Sequence, residues 1–421
     1  MKSRITASIL AGAMLALAGL SLSACGDGGA HKTDATAQSQ MQNADAEQIA
    51  RGRYLARAAD CAACHTRPDG APYAGGVRLQ SAFGTFYGTN ITPDKEHGIG
   101  KWSADDFYRA LHDGVSPNGQ LYPAMPYTSY RSMSREDSDA IYAFLMSRAP
   151  APVTDKDHEL SFPFNLRFGV WFWKLLFLKD AMPDASQGHS ADWSRGRYLA
   201  TALGHCAECH TPRGAAGQLD GAQALSGGAI GRITAPDITP AALAQRGWTA
   251  ADLQTYFASG VAPQGSAFGE MHSVVQLSTQ YLSRDDLRAL SVYLLGDSPP
   301  AAQSVPAQMS ASADNLAAGR GIYLAVCAGC HGAEGEGKPH VAVAMRGNST
   351  LREHDPHNLV VSVLDGIEAQ AFPGFERMQD MPGFAKTLSD DEIAQLASYL
   401  RAQWGGQSPD VSAQQVRKLR Q

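Results

Sequence analysis

Apolar residues gather at helical spacing in short blocks that recur along the chain. Three blocks open with a Gly-x-Tyr pattern: Gly52 and Tyr54, Gly196 and Tyr198, Gly321 and Tyr323. Three later blocks begin with a serine followed three residues on by an acid: Ser134 and Asp137, Ser283 and Asp286, Ser389 and Glu392. That is capping-box spacing and predicts the start of an amphipathic helix. Ten residues after each cap serine stands an aromatic followed by leucine: Phe144-Leu145, Tyr293-Leu294 and Tyr399-Leu400. The pattern predicts an opening and a closing helix in each of three repeats, an all-α fold.

The stretches between break this rhythm. An apolar run from Ile5 to Leu22 follows Lys2 and Arg4 and ends in Leu22-Ser23-Ala24-Cys25. This reads as an export signal of lipoprotein type, with Cys25 the lipidated residue; an uncleaved membrane helix and a plain cleaved signal are the alternatives. Residues 26–46 hold almost no large apolar side chains and predict a flexible tether. An aromatic segment, Phe162 to Leu178, carries Trp171, Trp173 and Phe177 and is read as packing against a domain or partner. The segment from Pro299 to Asp314 is a Pro/Ala/Ser linker. The boundaries are therefore 1–24 signal, 25–46 tether, 47–150 first repeat, 151–190 aromatic linker, 191–298 second repeat, 299–314 linker, 315–406 third repeat and 407–421 tail. Repeats one and two also match through their middles: Trp102 to Phe107 parallels Trp248 to Leu253, and Asn90-Ile-Thr-Pro parallels Asp237-Ile-Thr-Pro.

Cysteine placement turns this pattern into chemistry. Six of 7 cysteines fall in three Cys-x-x-Cys-His motifs: Cys61, Cys64, His65; Cys206, Cys209, His210; Cys327, Cys330, His331. This is the c-type haem attachment motif. Two thiols two residues apart reach the two vinyl groups of one haem, and the adjacent histidine meets the iron. Zinc and dithiol redox motifs share the Cys-x-x-Cys pair but do not require the trailing histidine. Three tandem cytochrome c-like domains, each wrapped around one covalently bound haem c, are expected. The second axial ligand is not fixed by the motif. Methionines in turn-rich loops before each closing helix are the candidates: Met125, Met271 and Met381, with Met133, His272 and Met378 as rivals. Arg78, Arg232 and Arg346 are candidate propionate partners or solvated charges, and His205 is read as a surface or propionate-side residue.

Composition narrows the function. Net charge is −6, before any propionates, so no nucleic-acid partner is expected. No Gly-x-Gly-x-x-Gly follows a strand, and no nucleophile–base cluster is visible. No catalytic residue is assigned. The rivals are a multihaem peroxidase and a free respiratory cytochrome.

The strings GRYLARAADCAACH, GTNITPDKEHGIGKWS, LYPAMPYTSY, LGHCAECHTPRG, VVQLSTQYLS and MPGFAKTLSDDEIAQLASYLRAQWG resemble the three-haem cytochrome c subunit of bacterial membrane-bound dehydrogenases, which serves alcohol, gluconate, sorbitol and aldehyde dehydrogenases. The resemblance runs from about residue 47 to 421. It implies an all-α subunit on the periplasmic face of the membrane. That subunit takes electrons from a catalytic subunit of flavin, pyrroloquinoline quinone or molybdenum type and passes them to ubiquinone or a terminal oxidase. It also implies Met125, Met271 and Met381 as iron ligands opposite His65, His210 and His331.

Overall fold

The computed structural model describes residues 30–179, 187–304 and 313–420. Cys25 and the apolar run 5–22 lie outside the described residues. The chain forms two compact units, Met1–Glu47 and Gln48–Gln421, and the sites belong to the second. The tether expected at 25–46 is helical from Ala30 onward, within the helix Ala30–Ala58. Its Ala and Gln content favours helix even without an apolar face.

The opening and closing helices pair as the pattern predicts, and glycine makes each pairing possible. A Cβ on Gly52 would lie 1.8 Å from the carbonyl oxygen of Ala140, in the closing helix Arg135–Met146. One on Gly196 would lie 1.9 Å from the Ala289 oxygen, in Arg284–Leu295. In the third repeat the close approach belongs to Gly319, whose Cβ would stand 2.3 Å from the Gln395 oxygen in Asp390–Leu400. Gly321 has open space around it. The Gly-x-Tyr alignment of the third repeat is thus corrected by two residues, which on a helix is a rotation to the opposite side.

A π-turn, Leu199–Leu203, sits at the end of the second opening helix. It accommodates one extra residue: Gly196 precedes Cys206 by 10 (206 − 196), whereas Gly52 precedes Cys61 by 9 (61 − 52).

The fold is mostly helical rather than all-α, because short antiparallel hairpins occupy the loops. Val115–Ser116 pairs with Gly119–Gln120, and Val261–Ala262 with Gly265–Ser266. The turns are Pro117-Asn118 and Pro263-Gln264, and the residue after each, Gly119 (φ 114°) and Gly265 (φ 130°), takes a positive φ that glycine allows. Helical periodicity cannot reveal pairs of two residues. A larger sheet orders Arg78–Ser81, Gly84–Tyr87 and Glu159–Leu160. The start of the aromatic linker is thereby bound to the first repeat. The Asn90 side chain reinforces this by donating to the carbonyls of Ala151 (2.8 Å) and Val153 (2.9 Å).

The cap serines behave differently from one another. Ser389 and Glu392 close a reciprocal capping box. Ser134 and Ser283 accept from Asp137 and Asp286 N–H, but neither aspartate returns the bond. The returning partner is a tyrosine from the other repeat: Ser134 N–H donates to the Tyr198 hydroxyl and Ser283 N–H to that of Tyr54 (both 3.1 Å). The first core, around Leu55, Phe107, Ile141 and Leu145, accordingly runs on into Leu199, Leu203 and Ala289.

Candidate haem-binding sites

Each Cys-x-x-Cys-His motif occupies a short helical turn: Cys61–His65, Ala207–His210 and Ala328–His331. The first two turns are entered through residues in left-handed backbone conformation, Asp60 (φ 52°) and His205 (φ 39°). None of the six motif cysteines is in a disulfide. Burial pushes the thiols of Cys61, Cys64 and Cys206 up to about 12, and those of Cys209 and Cys327 to about 11. A dithiol redox centre needs the opposite, a thiolate stabilised near neutrality. These thiols are held neutral.

The three histidines make the same bond. Nδ1 lies against a backbone carbonyl in each case: Thr89 at 2.6 Å from His65, Pro236 at 2.7 Å from His210 and Val343 at 2.9 Å from His331. A carbonyl only accepts, so the network assigns the proton to Nδ1 and leaves the lone pair on Nε2. Burial lowers the pKa of all three imidazoles. A neutral imidazole oriented by an Nδ1–H···O=C bond is the ligating form of histidine.

A cavity of about 410 Å³ joins the second and third motifs. Cys206, Cys209, His210 and Met271 border it, as do Cys327, Cys330, His331 and Met381. Apolar walls such as Leu243, Trp248, Val363 and Leu400 complete it. The residues fit haem: attachment thiols, a neutral histidine, a thioether and an apolar enclosure meet in one space. Met378 also lines the cavity. His272 is not among the lining residues; its Nε2 lies 2.9 Å from the Ala371 carbonyl. In the first repeat Met125 is half-buried against the core, while its rival Met133 is a core residue at 4% exposure. The Tyr127 hydroxyl, two residues after Met125, is buried without a protein partner. Such an orphaned donor marks room for a group beyond the protein.

The first two sites adjoin. Thr128, in the Met125 loop, donates to the Glu208 carboxylate inside the second motif (2.7 Å). The Cys209 thiol bears electrostatically on Cys64. His205 packs edge-on against Tyr130 with centroids 5.7 Å apart, so it belongs to this junction rather than to open surface.

Pattern reading missed Arg246. It is 5% exposed, borders the cavity, donates to the carbonyls of Asp237 and Ala242, and lies 3.6 Å from Glu353. No periodicity marks it, because it follows a short helix in a loop. Of the three candidate propionate arginines, Arg232 pairs with Asp365 (2.6 Å), and Arg346 bonds the Glu334 carbonyl (2.6 Å). Arg78 lies on an exposed strand position.

Neutral histidines with a free Nε2 beside cysteine pairs outside any disulfide, in a mostly helical fold, fit a cytochrome c. The family described as "Cytochrome c" matches residues 49–149, and "Cytochrome C oxidase, cbb3-type, subunit III" matches 314–400. The chain is 38% identical to the cytochrome c subunit of quinone alcohol dehydrogenase from Gluconobacter oxydans (strain 621H), over 90% of this chain and 83% of that one. It is 36% identical to the fructose dehydrogenase cytochrome subunit of Gluconobacter japonicus (88% and 82% covered). It is 37% identical to the gluconate 2-dehydrogenase cytochrome c subunit of Pantoea cypripedii (88% and 89% covered). The chain belongs to the family of cytochrome c subunits of membrane-bound dehydrogenases.

Proposed function

We propose that the chain is a three-haem electron-transfer subunit, with cytochrome c domains at 47–150, 191–298 and 315–406. It takes electrons from a dehydrogenase catalytic subunit and delivers them to ubiquinone or a terminal acceptor. An acylated Cys25 holds it to the periplasmic side of the membrane. The observation that carries this reading is the threefold recurrence of the Nδ1–carbonyl bond at His65, His210 and His331. One motif could keep such a bond by chance of packing; three separate loops supplying the same acceptor to the same nitrogen support a common ligand.

Bound haem c supplies one-electron carriage. The protein supplies the rest. Cys61 and Cys64, Cys206 and Cys209, and Cys327 and Cys330 attach the group. The carbonyls of Thr89, Pro236 and Val343 fix the histidine tautomer. Met125, Met271 and Met381 offer a soft sulfur that favours the reduced metal and raises its potential. The apolar walls exclude water, and buried Arg246 offers a positive charge beside the second site. The contact of the first repeat with the second motif, and the cavity shared by the second and third, support passage in the order first, second, third or its reverse.

The family's shared part is the cytochrome, while its named dehydrogenases differ in substrate. The partner's cofactor, whether flavin, pyrroloquinoline quinone or molybdenum, is therefore set by the catalytic subunit. The test is reduction of the purified chain. Ascorbate should reduce it; ethanol, gluconate, sorbitol or aldehydes should not until the cognate dehydrogenase is added, after which a quinone should reoxidise it. Reduction by a substrate with no second polypeptide present would overturn the reading.

A further inference from the structure

The Gly169–Phe177 helix has two apolar faces and uses only one of them on the protein. Its inner face carries buried Val170 and half-buried Trp173, Lys174 and Phe177. The polar atoms on this face are all turned inward. Lys174 Nζ donates to the carbonyls of Asp113 (2.7 Å) and Gly114 (2.6 Å) and to Gln120 Oε1 (2.6 Å). The Trp173 indole donates to the Ala216 carbonyl at 2.8 Å. The outer face is Phe168, Trp171, Phe172, Leu175 and Leu176, spaced as one helical stripe and all exposed, Leu176 at 71%. Phe162, Phe164 and Leu166 extend the patch.

Charge and polarity say what covers it. From Ser161 to Lys179 there is no acidic residue, with Glu159 before and Asp180 directly after; the charges are Arg167, Lys174 and Lys179, of which Lys174 is turned inward. Arg167 and Lys179 bracket the helix. A docking face for another soluble protein carries roughly one hydrogen bond per 100–200 Å² and a polar rim. The outer stripe offers a single polar atom, the Trp171 indole N–H. Tryptophan, phenylalanine and leucine outward, with cations at the ends, is the composition of a helix lying in a lipid interface. Crossing is excluded by length: nine residues span about 14 Å, against about 30 Å of hydrocarbon.

We infer that this helix lies in the headgroup region of a phospholipid bilayer, as a membrane contact separate from Cys25. The inference rests on the membrane placement proposed above and deepens it. Because Lys174 lies 4.8 Å from the Tyr127 ring, two residues beyond Met125, the loop of the first haem site sits directly under the lipid-facing helix. A quinone dissolved in the bilayer would meet the protein on that side.

Photo-crosslinking in the full holoprotein tests this. A benzophenone amino acid replaces Phe172 or Leu176, and in a control Phe375, exposed on a different loop. Irradiation follows in membranes carrying radiolabelled phosphatidylglycerol and phosphatidylethanolamine. Phe172 and Leu176 positions should yield a chain–phospholipid adduct several-fold above the Phe375 position. The Leu175→Glu/Leu176→Glu background should lose the Phe172 adduct while keeping the haem spectrum. An adduct with a second polypeptide at Phe172 would overturn the inference, as would lipid labelling no greater than at Phe375. Palmitate labelling of Cys25, measured separately, decides the anchor whatever the helix does.

Discussion

The Tyr54 hydroxyl donates to Asp286 Oδ2 at 2.5 Å, across 232 residues of sequence. Its counterpart, Tyr198, donates to Asp137 Oδ2 at 2.6 Å. Each aspartate also binds an arginine of its own repeat: Arg195 to Asp286 at 2.8 Å and Arg51 to Asp137 at 2.5 Å. The two repeats thus exchange the same tyrosine for the same cap, the self-complementary arrangement of a two-fold contact within one chain. Tyr323, in the third repeat, bonds its own Gly332 carbonyl instead.

Tyr54→Phe and Tyr198→Phe should each cost ~1.5–3 kcal/mol, the range for a hydrogen bond to a charged group. Denaturant unfolding of the holoprotein measures it. The pH sign follows from Asp286. Burial alone would raise its pKa, but bonds from Arg195 and Tyr54 outweigh burial and hold it below the usual value. The native state binds fewer protons there, so this stabilisation is present above the ordinary carboxylate pKa of ~3.9 and is lost as pH falls through the depressed one. Asp286→Asn should flatten the acid limb of the stability profile.

Gly319→Ala should destabilise the third repeat by ~1–3 kcal/mol, as overpacking does, whereas Gly321→Ala should be neutral or stabilising by up to ~1 kcal/mol from helix propensity. Gly52→Ala and Gly196→Ala should behave like Gly319→Ala. Unfolding curves and holoprotein yield report the difference. Equal losses at Gly319 and Gly321 would contradict the corrected register.

Burial pushes the Glu353 carboxyl up to about 7, with Arg246 the main opposing charge and Asn358, Asp355 and Arg401 also facing it. Two consequences share one sign. The native state holds the proton longer than the unfolded chain, so this contribution to stability is full only below the ordinary glutamate value of ~4.3 and is lost as pH rises from there through about 7. The new negative charge beside the cavity also favours oxidised iron, so a midpoint potential should fall between about pH 6 and about pH 8. Potentiometric titration should show that slope, and Glu353→Gln should remove it. Arg246→Gln should lower a potential at every pH.

The three motif turns were legible because haem attachment would impose a fixed spacing: Cys61, Cys64 and His65 and their two counterparts stand out in the sequence. The cap serines were legible because helix starts carry local signals. The crossing of Tyr54 to Asp286 was not, since a capping box looks the same whether its second half comes from the next turn or from another repeat. Gly319 was hidden behind a stronger-looking Gly321-x-Tyr323, which only the facing carbonyl of Gln395 disqualifies. Arg246 carries no periodic signal; its importance comes from being buried against a cavity that two distant segments build together.

Met125→His, Met271→His and Met381→His should each lower one midpoint potential, because imidazole favours oxidised iron more than thioether does. Spectroelectrochemical titration resolves this. An unchanged set of potentials in Met271→His would move the second ligand to another residue, with His272 first to be tested.

The account stands most directly on the number of covalent haems. Intact-mass measurement of the denatured mature chain should show three haem additions, and Cys61→Ser/Cys64→Ser, Cys206→Ser/Cys209→Ser and Cys327→Ser/Cys330→Ser should each remove one. A wild-type chain carrying two additions, or a pair of serines that leaves the mass shift unchanged, would contradict it.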